Sequence, residues 1–253
     1  MRLTANPWSY LSRALDIVVA PAILVSLALA FLYAPAEKTM HDVYRIFYFH
    51  VPATAGAAVG IGVTFVCSLL YLRTRERKYD IVAAAGAETA VLFATLGIAM
   101  GMLWAKPVWG QFWLPGDIHL LTTAVVYLIY IGYLMLRAAI VDEEQRARLS
   151  AIVGIVGAVG APIVFFSIRV IQVGNHPVLL SLEGRMHLTF VVSMISVLLL
   201  FTFVLLRRAR YGLDRAAVED LRIDLLMRAD HAVESKGEGR VVAGGQAILA
   251  GRR

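Results

Sequence analysis

The chain has 253 residues, of which 59% are hydrophobic and 17% are charged, and its mean hydropathy is +0.72. These values exclude an ordinary soluble domain and predict a polytopic membrane protein. The formal charge of +6 does not indicate nucleic-acid binding, because the basic residues stand beside apolar segments, where they orient a membrane protein. The only cysteine, Cys67, lies in an apolar run, which excludes disulfides and cysteine-based metal or redox sites.

Six charge-poor apolar runs follow one another, each long enough to cross about 30 Å of hydrocarbon as an α-helix. They do not alternate with a period of two, which excludes a β-barrel. The first run is followed by others of the same kind, which predicts a retained anchor and not a cleaved signal peptide. We therefore expect an all-α fold with six transmembrane helices. The predicted spans are residues 15–34, 51–72, 81–104, 118–140, 149–174 and 187–206.

Basic residues are concentrated in every second connection and after the last span. Positively charged connections stay on the cytoplasmic side, so we expect both termini to be cytoplasmic. The other three connections, which are poor in Lys and Arg, should face outward. The basic residues used for this assignment are Arg73, Arg75, Arg77, Lys78, Arg137, Arg146, Arg148, Arg207, Arg208 and Arg210.

The chain divides by composition into a membrane domain, residues 1–210, and a cytoplasmic tail, residues 211–253. The tail begins with apolar residues on one helical face. This pattern predicts a short amphipathic helix at the membrane surface or against a partner. Beyond Ala232 the Gly, Ser, Lys and Glu content predicts a flexible end.

The connection between the third and fourth runs, residues 104–119, has the sequence WAKPVWGQFWLPGDIH. It contains three of the four tryptophans of the chain, together with two prolines and two glycines. An aromatic belt at the membrane interface is one explanation. A flat apolar platform for a planar cofactor is the other. The spacing Trp-Gly-x-aromatic-Trp followed by an acid favours the platform.

Five of the six histidines lie on the predicted outer side. A single one would be explained as an interfacial imidazole, but five on one side point to a shared role. His50 ends the stretch YRIFYFH and should sit near the N-cap of the second span, because Pro52 is tolerated in the first turn of a helix. His176, in VGNHP, lies just past the fifth span. The five are His41, His50, His119, His176 and His187.

Two neutral imidazoles can ligate a haem iron from opposite faces, so His50 and His176 are the candidate metal ligands. The haem propionates would need cationic partners. Arg169, about two helical turns before His176, is the first candidate, and Lys106 and Arg185 are alternatives on the same side. Snorkelling to the headgroups is the other explanation for Arg169.

These residues resemble the cytochrome c maturation protein C family of tryptophan-rich, haem-handling membrane proteins. The family loop is approximately WGxWWxWDARLT, and the matching stretch is WGQFWLPGDIHLLT, residues 109–122. Further matches are YRIFYFHVPA around His50, WAKPVWG before the loop, and APIVFFS in the fifth run. The resemblance covers residues 44–206 and has the same six-span plan.

The chain departs from the family pattern inside the loop. Phe112 replaces a tryptophan, Pro115 and Gly116 replace the third motif tryptophan with one extra residue, and His119 occupies the usual arginine position. The second histidine motif aligns with His176 only after a one-residue shift. His187 is therefore an alternative second ligand.

The resemblance implies haem b bound at the outer face of a bacterial or archaeal cytoplasmic (inner) membrane. It assigns His50 and His176 as axial ligands, and Asp117 as a polar anchor for the loop or the chaperone. The implied partners are the haem chaperone, cytochrome c maturation protein E, an ABC transporter of A and B subunits, and the small D protein. The haem platform implied by the resemblance consists of Trp109, Phe112 and Trp113.

Three alternatives compete with haem transfer. A respiratory cytochrome b subunit would favour histidines within the spans, often at two depths. A small-molecule transporter would require polar residues at the midplane; Glu88 is the one acid well inside a span, where a cavity-lining role and a helix contact explain it equally well. A purely structural subunit is the third.

Overall fold

The computed structural model describes the backbone of residues 7–170 and 182–250, and the side chains of residues 11–167 and 182–228. Within the described ranges, six helices are long and apolar enough to cross a membrane. This confirms the predicted all-α, multi-pass fold; the cytoplasmic location of the termini stays a prediction. The helices are α1 (Pro7–Ala28), α2 (Phe47–Thr74), α3 (Arg77–Trp109), α4 (Ile118–Ala139), α5 (Glu143–Val170) and α6 (Gly184–Ala250).

The connection from α1 to α2 contains a π-helical turn, Leu29–Tyr33, and a 3₁₀-helix, Asp42–Ile46. The guanidinium of Arg45 donates to the carbonyl oxygen of Ala30 and, at 3.3 Å, to that of Ala34. The last carbonyls of a helix have no partner within the helix. Arg45 therefore provides hydrogen-bond donors for carbonyl groups at the end of the first span and connects this end to the start of the second span.

α2 and α3 form an antiparallel hairpin whose backbones nearly touch. A Cβ atom added at Gly60 would lie 3.0 Å from the carbonyl oxygen of Gly86. One added at Gly86 would lie 2.8 Å from Oγ1 of Thr64. Helix association within lipid relies on close van der Waals packing, which small residues permit. The glycines therefore hold this hairpin together.

α4 follows α3 in the chain but packs mainly against α5. Glycines on one face of α5 permit this contact. A Cβ atom at Gly157 would lie 2.9 Å from side-chain atoms of both Ile129 and Tyr130, and one at Gly160 would lie 2.5 Å from Cγ2 of Val126. The α4 side chains thus occupy the space that any larger residue on α5 would need.

We call the end of the bundle where α3 ends and α4 begins the loop end, and the opposite end the basic end. At the basic end Arg137 on α4 makes two hydrogen bonds to the carboxylate of Asp80 on α3, at 2.5 and 2.9 Å. Both side chains are at most 15% exposed, and such paired geometry is the strong form of an ion pair. α3 and α4 are therefore tied together at the basic end.

Glu88, the acid inside the third span, forms an ion pair with Arg208 of α6 through both of its carboxylate oxygens, one of them at 2.8 Å. A carboxylate within a membrane span is costly unless it is paired. Of the two explanations left open by the sequence, the structure therefore supports the helix contact.

The chain divides into two compact units, Met1–Ala209 and Arg210–Arg253. In the first unit a hydrogen bond of 3.0 Å between the hydroxyls of Ser26 and Ser193 joins α1 to α6. The second unit continues α6, and its described side chains, which extend to Arg228, are mostly exposed. The predicted division of the tail into an amphipathic helix and a flexible end stays a prediction.

We expect Gly157→Ala and Gly160→Ala to destabilise the protein by about 1–3 kcal/mol, since each added methyl group overpacks the α4–α5 contact. The matched control is Gly132→Ala on α4, where an added Cβ meets nothing within 4 Å. Thermal unfolding in detergent measures the difference. Equal melting temperatures for the three variants would contradict the proposed role of these glycines.

Candidate functional site

A cavity of about 780 Å³ extends from the loop end toward the middle of the bundle, between α2, α3, α4 and α5, and Leu182 and Phe190 also line it. Its size is within the range of small-molecule and cofactor sites. The cavity exists because α4 packs on α5, while α3 packs on α2. The walls contributed by α2 and α3 carry small side chains, which leave the space open. These small residues are Ala55, Ala57, Ala58, Ala90, Ala94, Gly97, Gly101 and Ala105.

Aromatic side chains from the end of α3 and from its connection to α4 line the loop-end part of the cavity. The predicted loop began at residue 104, but α3 continues to Trp109 and ends at Gly110. Gly110 has a φ of 76°, and its N–H donates to the carbonyl of Lys106 at 3.0 Å. A glycine in this left-handed conformation is a common helix terminator. The connection to α4 is therefore shorter than predicted.

Four aromatic side chains between residues 104 and 113 line the cavity, in two groups. Trp104 and Trp109, on the last turns of α3, contact each other edge to face, with ring centroids 5.1 Å apart. Phe112 and Trp113, in the connection itself, also line the cavity. The ammonium of Lys106 lies 5.4 Å from the centroid of the Phe112 ring. The predicted aromatic platform thus faces an actual cavity and has a cation at its edge.

His50 lies in the first turn of α2, which begins at Phe47. Its Nδ1 atom is 2.9 Å from the carbonyl oxygen of Gly97 on α3. A Cβ atom added at Gly101 would lie 3.0 Å from Cε1 of the His50 ring. One side of the imidazole is thus hydrogen-bonded and another is in close contact with a glycine, so its orientation in the cavity wall is fixed.

His119 lies in the first turn of α4 and lines the same cavity. Its Nδ1 atom is 3.1 Å from the hydroxyl of Ser167 and 3.3 Å from the carbonyl oxygen of Val164, both on α5. No ligand role was predicted for this residue. Its position in the first turn of an apolar helix, two residues after a capping acid, is the signal that could have placed it on the face of α4 that lines the cavity.

Asp117 is the N-cap of α4. Its Oδ1 atom accepts a hydrogen bond of 3.0 Å from the backbone N–H of Leu120. An aspartate at this position satisfies one of the N–H groups that lack a partner at the start of a helix. It anchors the end of the connection and is not among the residues that line the cavity.

Two predicted site residues lie outside the described residues. His176 is outside them entirely, and for Arg169 only the backbone, in α5, is described. His187, the alternative ligand, is exposed in the first turn of α6 and does not line the cavity. The guanidinium of Arg185 lies 5.7 Å from the ring of Tyr33.

The polar groups of the described cavity wall are imidazole nitrogens, indole N–H groups and a few hydroxyls, and the rest of this wall is apolar. In the part of the chain whose side chains are described, no group of three or more His, Cys, Asp or Glu residues could hold a metal ion. A bare ion would therefore lack most of its ligands there. A planar ligand that brings its own chelated metal would need only axial ligands and apolar walls, and the residues present fit such a ligand.

Comparison with known proteins gives consistent matches. The family model described as CcmC, Heme exporter protein C, matches residues 4–223. The chain is 28% identical over 235 residues to Heme exporter protein C of Bradyrhizobium diazoefficiens, covering 87% of each chain. It is 29% identical over 220 residues to the protein of that name from Rhodobacter capsulatus, covering 81% of this chain and 90% of the relative.

Proposed function

The chain belongs to the Heme exporter protein C family, and from this premise we propose that it binds haem b and passes it to an extracytoplasmic haem chaperone in cytochrome c maturation. The observation that carries the proposal is the apolar cavity of about 780 Å³, which has imidazole and indole side chains in its wall. A porphyrin needs apolar contact on both faces, and its iron needs axial ligands.

His50 is the first axial ligand in this proposal. Its Nδ1 atom faces a carbonyl oxygen, which only accepts hydrogen bonds, so Nδ1 carries the proton and Nε2 carries the lone pair. This is the form of histidine that binds metals, with the second ring nitrogen held by a hydrogen bond. The family resemblance assigns the second axial position to His176.

The remaining proposed contacts surround the porphyrin. Trp109, Phe112 and Trp113 offer flat apolar area on the loop side of the cavity. Lys106, at the edge of Phe112, is the proposed propionate partner among the described side chains, and Arg169 is a second proposed partner by sequence position. Phe112 is 49% exposed, which leaves the loop accessible to a chaperone.

Family membership supports the wider assignment. We propose as partners the haem chaperone, cytochrome c maturation protein E, the A and B subunits of an ABC transporter, and the small D protein. The location proposed is the bacterial or archaeal cytoplasmic membrane, with the cavity on the outer side and both termini inside. The positions of the basic residues support this proposed orientation.

The geometry favours haem handling over the two main alternatives. A transporter would use an acid near the midplane, and Glu88 is instead paired with Arg208 and does not line the cavity. Electron transfer across the bilayer would favour haem ligands at two depths. The two histidines of the described cavity wall both lie in first turns at the loop end.

The experiment that tests the proposal is haem binding by the purified full chain after expression with ample haem. We expect stoichiometric haem b, and in His50→Ala a loss of haem affinity of more than about tenfold, because an axial ligand is removed. His187→Ala, exposed and outside the cavity wall, is the matched control. A colourless wild-type protein would reject the proposed function. Equal haem content in the wild type and in His50→Ala would reject His50 as a ligand.

Gly101→Ala tests whether the packing around His50 matters. The new methyl group would lie 3.0 Å from the ring of His50 and would turn the imidazole, so we expect haem affinity to fall by about tenfold, as for other residues that orient a ligand. Gly62→Ala, on the open side of α2, should bind haem like the wild type. Titration of both variants with haem measures the effect, and equal affinities would contradict it.

A further inference from the structure

A hydrogen bond crosses the seam between α3 and α4 inside the membrane span. The hydroxyl oxygens of Thr95 on α3 and Tyr127 on α4 lie 2.9 Å apart. Thr95 donates its only hydroxyl proton to the carbonyl oxygen of Val91, at 2.8 Å, so Tyr127 is the donor to Thr95. Because Tyr127 lines the cavity and Thr95 is exposed, this bond lies where the cavity meets the surface of the bundle.

The cavity has an open rim beside this bond. Met102 follows Thr95 by about two helical turns, and so lies on the same face of α3, toward the loop end. Met102 lines the cavity, yet it is 37% exposed. On α4, Thr123 lines the cavity about one turn from Tyr127. The rim at the α3–α4 seam therefore joins the interior of the cavity to the outside of the bundle.

This rim faces lipid and not water. Thr95 and Met102 both belong to the apolar run of the third span, residues 81–104. Thr95 precedes the end of α3 at Trp109 by about 21 Å of helix, a depth that a hydrocarbon core of about 30 Å covers. A molecule dissolved among the acyl chains therefore reaches the rim without crossing the polar headgroups.

The two described ties between α3 and α4 differ in strength. The paired hydrogen bonds between Asp80 and Arg137 at the basic end join two charged groups, whereas the bond between Thr95 and Tyr127 joins two neutral hydroxyls. Paired, charge-assisted bonds are the stronger class, and a neutral bond between helices in lipid contributes little. The seam can therefore open at the Thr95–Tyr127 bond while the basic end stays closed.

We propose that haem enters the cavity from the bilayer through the α3–α4 seam, and that the Thr95–Tyr127 bond is the latch that holds this opening closed. The inference rests on the proposed haem binding. Haem is apolar apart from its propionates, so it dissolves in membranes and reaches the rim laterally. Tyr127 acts in this proposal on the rate at which haem passes, as a lid does, and not on the iron.

The test measures how fast the full chain takes up haem from lipid. Protein in phosphatidylcholine bicelles is mixed with bicelles of the same lipid that carry haem b, and absorption follows the bound haem with time. We expect Tyr127→Phe and Thr95→Val each to raise the rate of uptake by about threefold to twentyfold, the range that corresponds to interhelical hydrogen bonds in membranes. The double variant should match each single variant, because both lose the same bond.

Thr202→Val on α6 is the matched control for Thr95→Val. The hydroxyl of Thr202 donates to the carbonyl oxygen of Leu198 at 2.8 Å, as that of Thr95 does to Val91, so each variant loses the same intrahelical bond. Thr202 is not among the residues that line the cavity. Its variant should take up haem at the rate of the wild type.

Met102→Trp tests the rim itself. The larger side chain narrows the seam, so we expect uptake from lipid to slow severalfold, while the absorption spectrum of the bound haem stays unchanged. Leu103→Trp is the matched control, because Leu103 is 60% exposed and is not among the residues that line the cavity. This control should keep the rate of the wild type.

The outcomes separate this inference from the proposed function. Uptake at the wild-type rate in both Tyr127→Phe and Thr95→Val overturns the latch. Equal rates in Met102→Trp and Leu103→Trp overturn the route through the seam. In either case haem binding by the wild type leaves the proposed function intact, whereas a wild-type chain that binds no haem removes the proposed function and this inference together.

Discussion

The close approach of α4 to α5 is the contact on which the cavity depends. Gly157 and Gly160 leave room for Val126, Ile129 and Tyr130 to sink into the surface of α5, which draws α4 away from its neighbour in sequence. The Asp80–Arg137 pair ties α3 and α4 at the basic end, and the cavity lies on the loop-end side of this pair. Helix packing by small residues, which lipid favours, thus leaves room for the cavity.

The cavity combines an apolar wall with few, well-oriented polar atoms. Among the described residues, the two histidines that line the cavity each use Nδ1 for a contact with a neighbouring helix, which fixes the orientation of the ring. An imidazole held in this way needs no reorganisation when a ligand arrives. The half-exposed loop beside it suits the proposed release of haem to another protein.

Much of the fold could be predicted from the sequence, because span length and hydropathy are local properties. The six spans follow from these alone, and the motif around His50 and Trp109 indicated residues that line one cavity. The end of α3 was misplaced: the predicted span ended at residue 104, whereas α3 continues through Pro107 to Trp109. The contacts of His119 with Val164 and Ser167 could not be predicted, since they depend on the packing of α4 on α5, whose residues are about forty positions away in sequence.

The most direct measurement is an experimental structure of the haem-loaded full chain in detergent or nanodiscs. The account predicts porphyrin density inside the cavity between α2, α3, α4 and α5, with the iron bonded to the Nε2 atom of His50 and the ring edge beside the aromatic loop. Haem density outside this cavity, or an iron without a bond to His50, would contradict the central claim.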